Sequence, residues 1–148
     1  MNFNTQLPVK KLYIFLIACS LIIFLSSLDV MITVKDAGLF REWIEINQLQ
    51  GIESELMSTY VSINLSLFFS KIAIPITFAI YSYYAYTKIK INQLFVFMWT
   101  VLNLGGMAYT IVELKLDSLF YYVIIFAYIV VLLTLVSLID DIRENKSK

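Results

Sequence analysis

Residues 119–139 read LFYYVIIFAYIVVLLTLVSLI and residues 94–112 read LFVFMWTVLNLGGMAYTIV, and neither run holds a charged side chain. A helix needs about 20 apolar residues to cross the hydrocarbon core of a bilayer, where only a helix or a closed barrel satisfies its own backbone. Strand-like alternation is absent, and both runs exceed the roughly 10 residues of a barrel strand, so helices are the reading despite many β-branched positions. Working outward, two more apolar runs appear at 12–34, interrupted by Asp29, and at 60–86, which contains Lys71. The expectation is an all-α integral membrane protein: a single four-helix bundle formed by the 148 residues, with spans at about 12–34, 60–86, 94–112 and 119–139.

Composition agrees with that class. Apolar residues make up 60% of the chain and charged ones 15%, far from the balance of a soluble globular domain. Lys plus Arg and Asp plus Glu are 11 each, so the net charge is zero and no basic face for nucleic acid is expected. The single cysteine, Cys19, rules out an intrachain disulfide, and the absence of histidine removes the commonest metal ligand and general base. No catalytic residue, metal or cofactor is therefore expected. Four-span thiol oxidoreductases linked to quinones need paired cysteines, which this chain lacks.

The basic residues set the expected orientation, because Lys and Arg resist export. Lys10, Lys11, Lys88, Lys90, Arg143, Lys146 and Lys148 fall on one side of the four spans, against Lys35, Arg41 and Lys115 on the other. Both termini are accordingly expected in the cytoplasm, in a cell membrane. Tyr81, Tyr83, Tyr84 and Tyr86 would then mark the inner interface, and Tyr60, Tyr121 and Tyr122 the outer one. The first run is not expected to be a cleaved leader, since Phe24 and Leu25 stand where small residues are needed before Ser26 and Ser27. Frequent Ile, Asn, Lys, Phe and Tyr hint at an AT-rich bacterial genome.

The connections at 87–93 and 113–118 are short, so the last three spans are expected to pack as antiparallel neighbours, with Asp117 or Ser118 capping the fourth. The outer loop, 35–58, has room for structure. At 100° per residue, Leu39, Phe40, Trp43, Ile44 and Ile46 share one face, opposite Arg41, Glu42, Glu45 and Gln48. This predicts a short amphipathic helix centred on Trp43, lying over the bundle or in the headgroup layer, or serving as a docking surface.

Asp29 and Lys71 are the ionisable residues inside the spans. A mid-span lysine costs about 3 kcal/mol and needs a partner, water or a ligand. Helix rise puts Lys71 roughly 18 Å, and Asp29 roughly 9 Å, below the outer ends of their spans. Side chains lean toward their own helix N-terminus, so the two converge: either they form an ion pair with Asn103 as third partner, or one of them meets a substrate, an ion or a proton. Asn64 and Glu113 are secondary candidates. Trp99, Asn103, Gly106, Thr110 and Glu113 form one face of the third span. Ala18, Cys19, Ile22, Ser26, Asp29 and Thr33 form a small and polar stripe on the first, of the kind that allows close helix approach. The second span carries two such faces, Thr59, Ser62, Ser66, Ser70, Ala73 and Thr77 on one side and Asn64, Lys71 and Ser82 on the other. It is expected at the centre of the bundle or in contact with another subunit.

These features point to a non-catalytic accessory, immunity or regulatory component that binds another membrane protein or a second copy of itself. The alternative is a small oligomeric transporter or channel with Asp29 and Lys71 lining its path. Small four-span multidrug exporters also carry an acid in their first helix, but they are shorter, have brief loops throughout and lack a comparable lysine.

Overall fold

The computed structural model describes residues 6–116 and 118–144; Asp117, the other expected cap of the last helix, lies outside them, as do Lys146 and Lys148. Five helices follow one another: α1 (Val9–Lys35), α2 (Ala37–Ile46), α3 (Glu53–Thr87), α4 (Gln93–Val112) and α5 (Leu119–Glu144). Four of them, α1, α3, α4 and α5, are long and apolar enough to cross a membrane.

Local chemistry sets the helix ends. Pro8 precedes α1 with φ −60°, where its missing N–H costs nothing. The carboxylate of Asp36 accepts hydrogen bonds from the backbone N–H of Gly38 (2.8 Å) and Leu39 (3.2 Å), which both stops α1 and starts α2. Asn92 caps α4 the same way through the Phe95 N–H at 2.8 Å. α3 has no side-chain cap at Ile52 and begins seven residues before the expected span, running 35 residues straight through Pro75. The outer loop of the sequence reading is thereby reduced to α2 and the connection at 47–52.

α1 lies between α3 and α5 and packs along both, and α5 packs along α4; α3 and α4 meet over a shorter stretch. The helix packed on two long neighbours along its length is α1, not α3, so of the two places expected for the second span the centre is taken by α1. Ala18, Cys19, Ile22 and Ser26 are buried, whereas the Thr59 to Thr77 stripe of α3 faces outward. Of the expected antiparallel neighbours, α5 packs along α4, and α3 meets α4 over the shorter stretch.

The core sits toward the end of the bundle that carries the termini. Phe15, Cys19 and Ile22 of α1 meet Phe78 of α3 and Tyr128, Val131 and Leu135 of α5. Phe15 and Phe78 stand edge to face at 4.8 Å, and Phe78 lies 4.9 Å from Trp99 of α4. There Lys11 and Asp141 form an ion pair of 2.7 Å that ties α1 to α5.

At the opposite end α2 folds back so that Phe40 is buried and Trp43 and Ile44 are half-buried. Phe40 and Trp43 each lie 5.4 Å from the ring of Tyr60, whose hydroxyl donates to the Thr33 carbonyl at 3.2 Å. Leu39 and Ile46, placed on the same face by the sequence pattern, remain exposed.

Candidate functional site: a four-charge cavity

Asp29 and Lys71 do border one cavity, but they do not pair with each other. Lys71 Nζ donates to Glu113 Oε2 at 2.6 Å, and Lys115 Nζ donates to Asp29 Oδ2 at 2.6 Å. Both new partners come from the turn between α4 and α5. Their placement depends on Leu114, whose φ of 48° lies in the left-handed region that a leucine adopts at a cost of about 1 kcal/mol. Glu113 and Lys115 flank this residue and reach back into the same cluster.

The two pairs differ in depth. The Lys71 and Glu113 side chains are 7% and 23% exposed, and those of Asp29 and Lys115 are 18% and 38% exposed. The first pair is largely withdrawn from water, so losing either member leaves a charge with few other partners. The second is wetter and weaker.

The cluster lies toward the end of α4. Lys71 stands at the middle of α3, yet its partner Glu113 is the residue that ends α4. α4, Gln93–Val112, is 20 residues and so about 30 Å long, one hydrocarbon thickness. Lys71 also lines a crevice with Gly105, Gly106 and Tyr109 of α4, so it stands alongside that span and only its Nζ reaches the span's end. At 35 residues α3 is about 52 Å long, against about 30 Å for α4.

The cavity, of about 190 Å³, is walled by Ser26, Asp29, Val30 and Thr33 of α1 and by Asn64, Leu67, Phe68 and Lys71 of α3, with Glu113 and Lys115 across from them. Tyr121 and Ile124 of α5 border the same charges. The amide of Asn64 donates to the Tyr60 carbonyl at 2.9 Å, and the Thr33 hydroxyl to the Asp29 carbonyl at 2.9 Å. Ser26 is only 2% exposed, and its hydroxyl has no hydrogen-bond partner. A buried hydroxyl without a partner is a local cost to the fold.

A second cavity, of about 170 Å³, begins at Lys71 and runs between α3 and α4, lined by Ser70, Ile74, Gly105, Gly106 and Tyr109. It lies in the direction of the core, between α3 and α4. A Cβ at Gly105 would meet nothing within 4 Å, so this crevice is open there.

Asn103 takes no part in the cluster. It is fully buried on α4, its amide donating to the Trp99 carbonyl at 2.8 Å while its Oδ1 has no partner. The Tyr128 hydroxyl is likewise buried without a partner; a Cβ at Gly106 would stand 2.8 Å from it. Gly106 is thus a close-packing point between α4 and α5.

Lys115 is the member of the cluster that the sequence reading treated only as an outer basic residue. The signal for it is an acid and a base two positions apart, Glu113 and Lys115, directly after an uncharged helix. Among the described residues, no three potential ligands of the Cys, Asp or Glu type stand close enough to hold a metal ion. In comparisons with known proteins, no family model, curated protein or solved structure matches the chain.

Proposed function

We propose that the protein is a non-catalytic component of a bacterial cell membrane that binds another membrane protein, as an accessory, immunity or regulatory partner. In this reading both termini lie in the cytoplasm, following the excess of Lys and Arg on that side, and α2 packs its aromatic face over the outer end of the bundle. One observation carries the proposal. Thr59, Ser62, Ser66, Ser70, Ala73 and Thr77 form a continuous face of α3 that is exposed along its whole length.

Thr59, Ser62, Ser70 and Thr77 bond back to carbonyls of their own helix at 2.7 to 3.0 Å. They consequently present little polarity to hydrocarbon and allow a second backbone to approach closely, as small residues do between membrane helices. Part of this face is already grooved, where Ser58, Thr59, Ser62, Ile63, Ser66 and Leu67 border about 380 Å³ of space.

Single cysteines at Ser62, Ser66 and Ser70, crosslinked in native membranes, test the proposal against Leu133→Cys on the exposed side of α5. The expected result is one adduct of fixed mass from the α3 positions and none from α5, lost from the Ser62 and Ser70 positions when Ser66→Leu is added while protein abundance holds. Equal crosslinking from both helices removes the proposal.

A second reading is favoured by the charged cavity: a small oligomeric transporter or channel in which Asp29 and Lys71, with Glu113 and Lys115, line the path. It predicts α3 adducts of twice the chain mass, and solute flux that Lys71→Met abolishes in protein that remains folded.

A further inference from the structure

We propose that the charged cavity and the crevice between α3 and α4 together bind one zwitterionic aminophospholipid, its head among the four charges and one acyl chain in the crevice. This site is separate from the outward face of α3 and does not depend on the partner-binding reading.

Charge is the first argument. Asp29, Glu113, Lys71 and Lys115 border one small volume and sum to zero. A head with one ammonium and one phosphate can set its cation beside the carboxylates and its anion beside the lysines without leaving net charge in a poorly solvated place. A purely anionic head adds an uncompensated charge. Ser26 and Asn64 form neutral parts of the same wall.

Shape is the second argument. Lys71 borders both cavities, the polar one of about 190 Å³ and the less polar one of about 170 Å³. The polar volume stands level with the end of α4, where headgroups lie beside a 20-residue span. From there the crevice leads deeper, past Ile74 and Gly105, with Gly105 open to the outside of the bundle. Head at the boundary and chain toward the bilayer centre is the posture of a lipid in one leaflet. A water-soluble guest has no use for the apolar extension.

The test uses the full chain, purified in detergent and stripped of lipid. It is titrated with dihexanoyl phosphatidylethanolamine, dihexanoyl phosphatidylglycerol and free phosphoethanolamine, and bound mass is read by native mass spectrometry. One phosphatidylethanolamine per chain is expected, with phosphatidylglycerol and free phosphoethanolamine each weaker by about tenfold or more. Gly105→Leu adds a side chain from an unobstructed position; it should keep its helicity, weaken the lipid by about tenfold and leave phosphoethanolamine unchanged. Lys71→Met should weaken both. Equal affinity for the two lipids, phosphoethanolamine binding as tightly as the lipid, or an unaffected Gly105→Leu overturns the proposal, as does failure to bind any of the three.

Discussion

At the end of the bundle that carries the termini, Phe15, Phe78 and Trp99 fill the space between helices ring against ring, and Lys11 reaches Asp141 at 2.7 Å. Toward the α2 end, short of the Phe40, Trp43 and Tyr60 cluster, the same helices part around a cavity that two ion pairs made with a turn bridge. In hydrocarbon there is no hydrophobic drive to bring helices together, so the first end is held by van der Waals fit and the second by charge. Fit is lost when one atom is added or removed. Charge tolerates a gap, and that is where a guest can enter.

The comparison can be broken most forcefully at the packed end. Phe78→Ala removes a ring that touches both Phe15 and Trp99 and should cost about 3 kcal/mol in reversible unfolding in mixed micelles. A loss below 1 kcal/mol would mean that fit does not hold this end.

Next comes Gly106→Ala, whose new carbon meets the Tyr128 hydroxyl at 2.8 Å and two ring carbons at 3.1 Å. It should cost about 2 kcal/mol, part of it recovered by adding Tyr128→Phe. Tyr128→Phe alone should be neutral or stabilising, since that hydroxyl is buried without a partner.

At the cavity end the effects are smaller. Lys71→Met strands Glu113, which keeps some contact with water, and should cost about 1.5 kcal/mol, below the figure for a fully buried pair. Adding Glu113→Gln should recover most of that in a double-mutant cycle. Asp29→Asn leaves only the more exposed Lys115 behind, and after discounting for solvent screening should cost well under about 1 kcal/mol. A reversed order of these two variants would show that the Lys115 pair is the structural one.

The smallest effect is expected at Leu114→Gly, where relief of the left-handed backbone nearly offsets the greater freedom of the unfolded chain. The change should lie within about 0.5 kcal/mol of zero.

The four helices long and apolar enough to cross a membrane were legible because hydrocarbon imposes length and apolarity on a span, and the runs at 94–112 and 119–139 satisfy both without interruption. The start of α3 was not, because Glu53 to Thr59 is polar, uncapped and indistinguishable from loop by periodicity.

The membership of the charged cluster was half legible. Opposed helix directions bring Asp29 and Lys71 to one level, but the choice of partner belongs to a turn whose path depends on the backbone at Leu114. Asn103 was drawn in by its periodicity with Glu113. Yet it lies ten positions earlier on α4, about 15 Å along the axis, and bonds its own helix instead.

The separation of ion partners along the chain bears on biosynthesis. Lys71 waits 42 residues for Glu113, and Asp29 waits 86 for Lys115. At about 5 to 20 residues per second, roughly 2 to 8 seconds pass before the lysine meets its acid, and about twice that for the aspartate. Through that interval the ribosome has delivered one stray cation and one stray anion to the insertion machinery, on helices that will later lie side by side. A temporary liaison between those two would shelter both until the turn emerges and trades them apart.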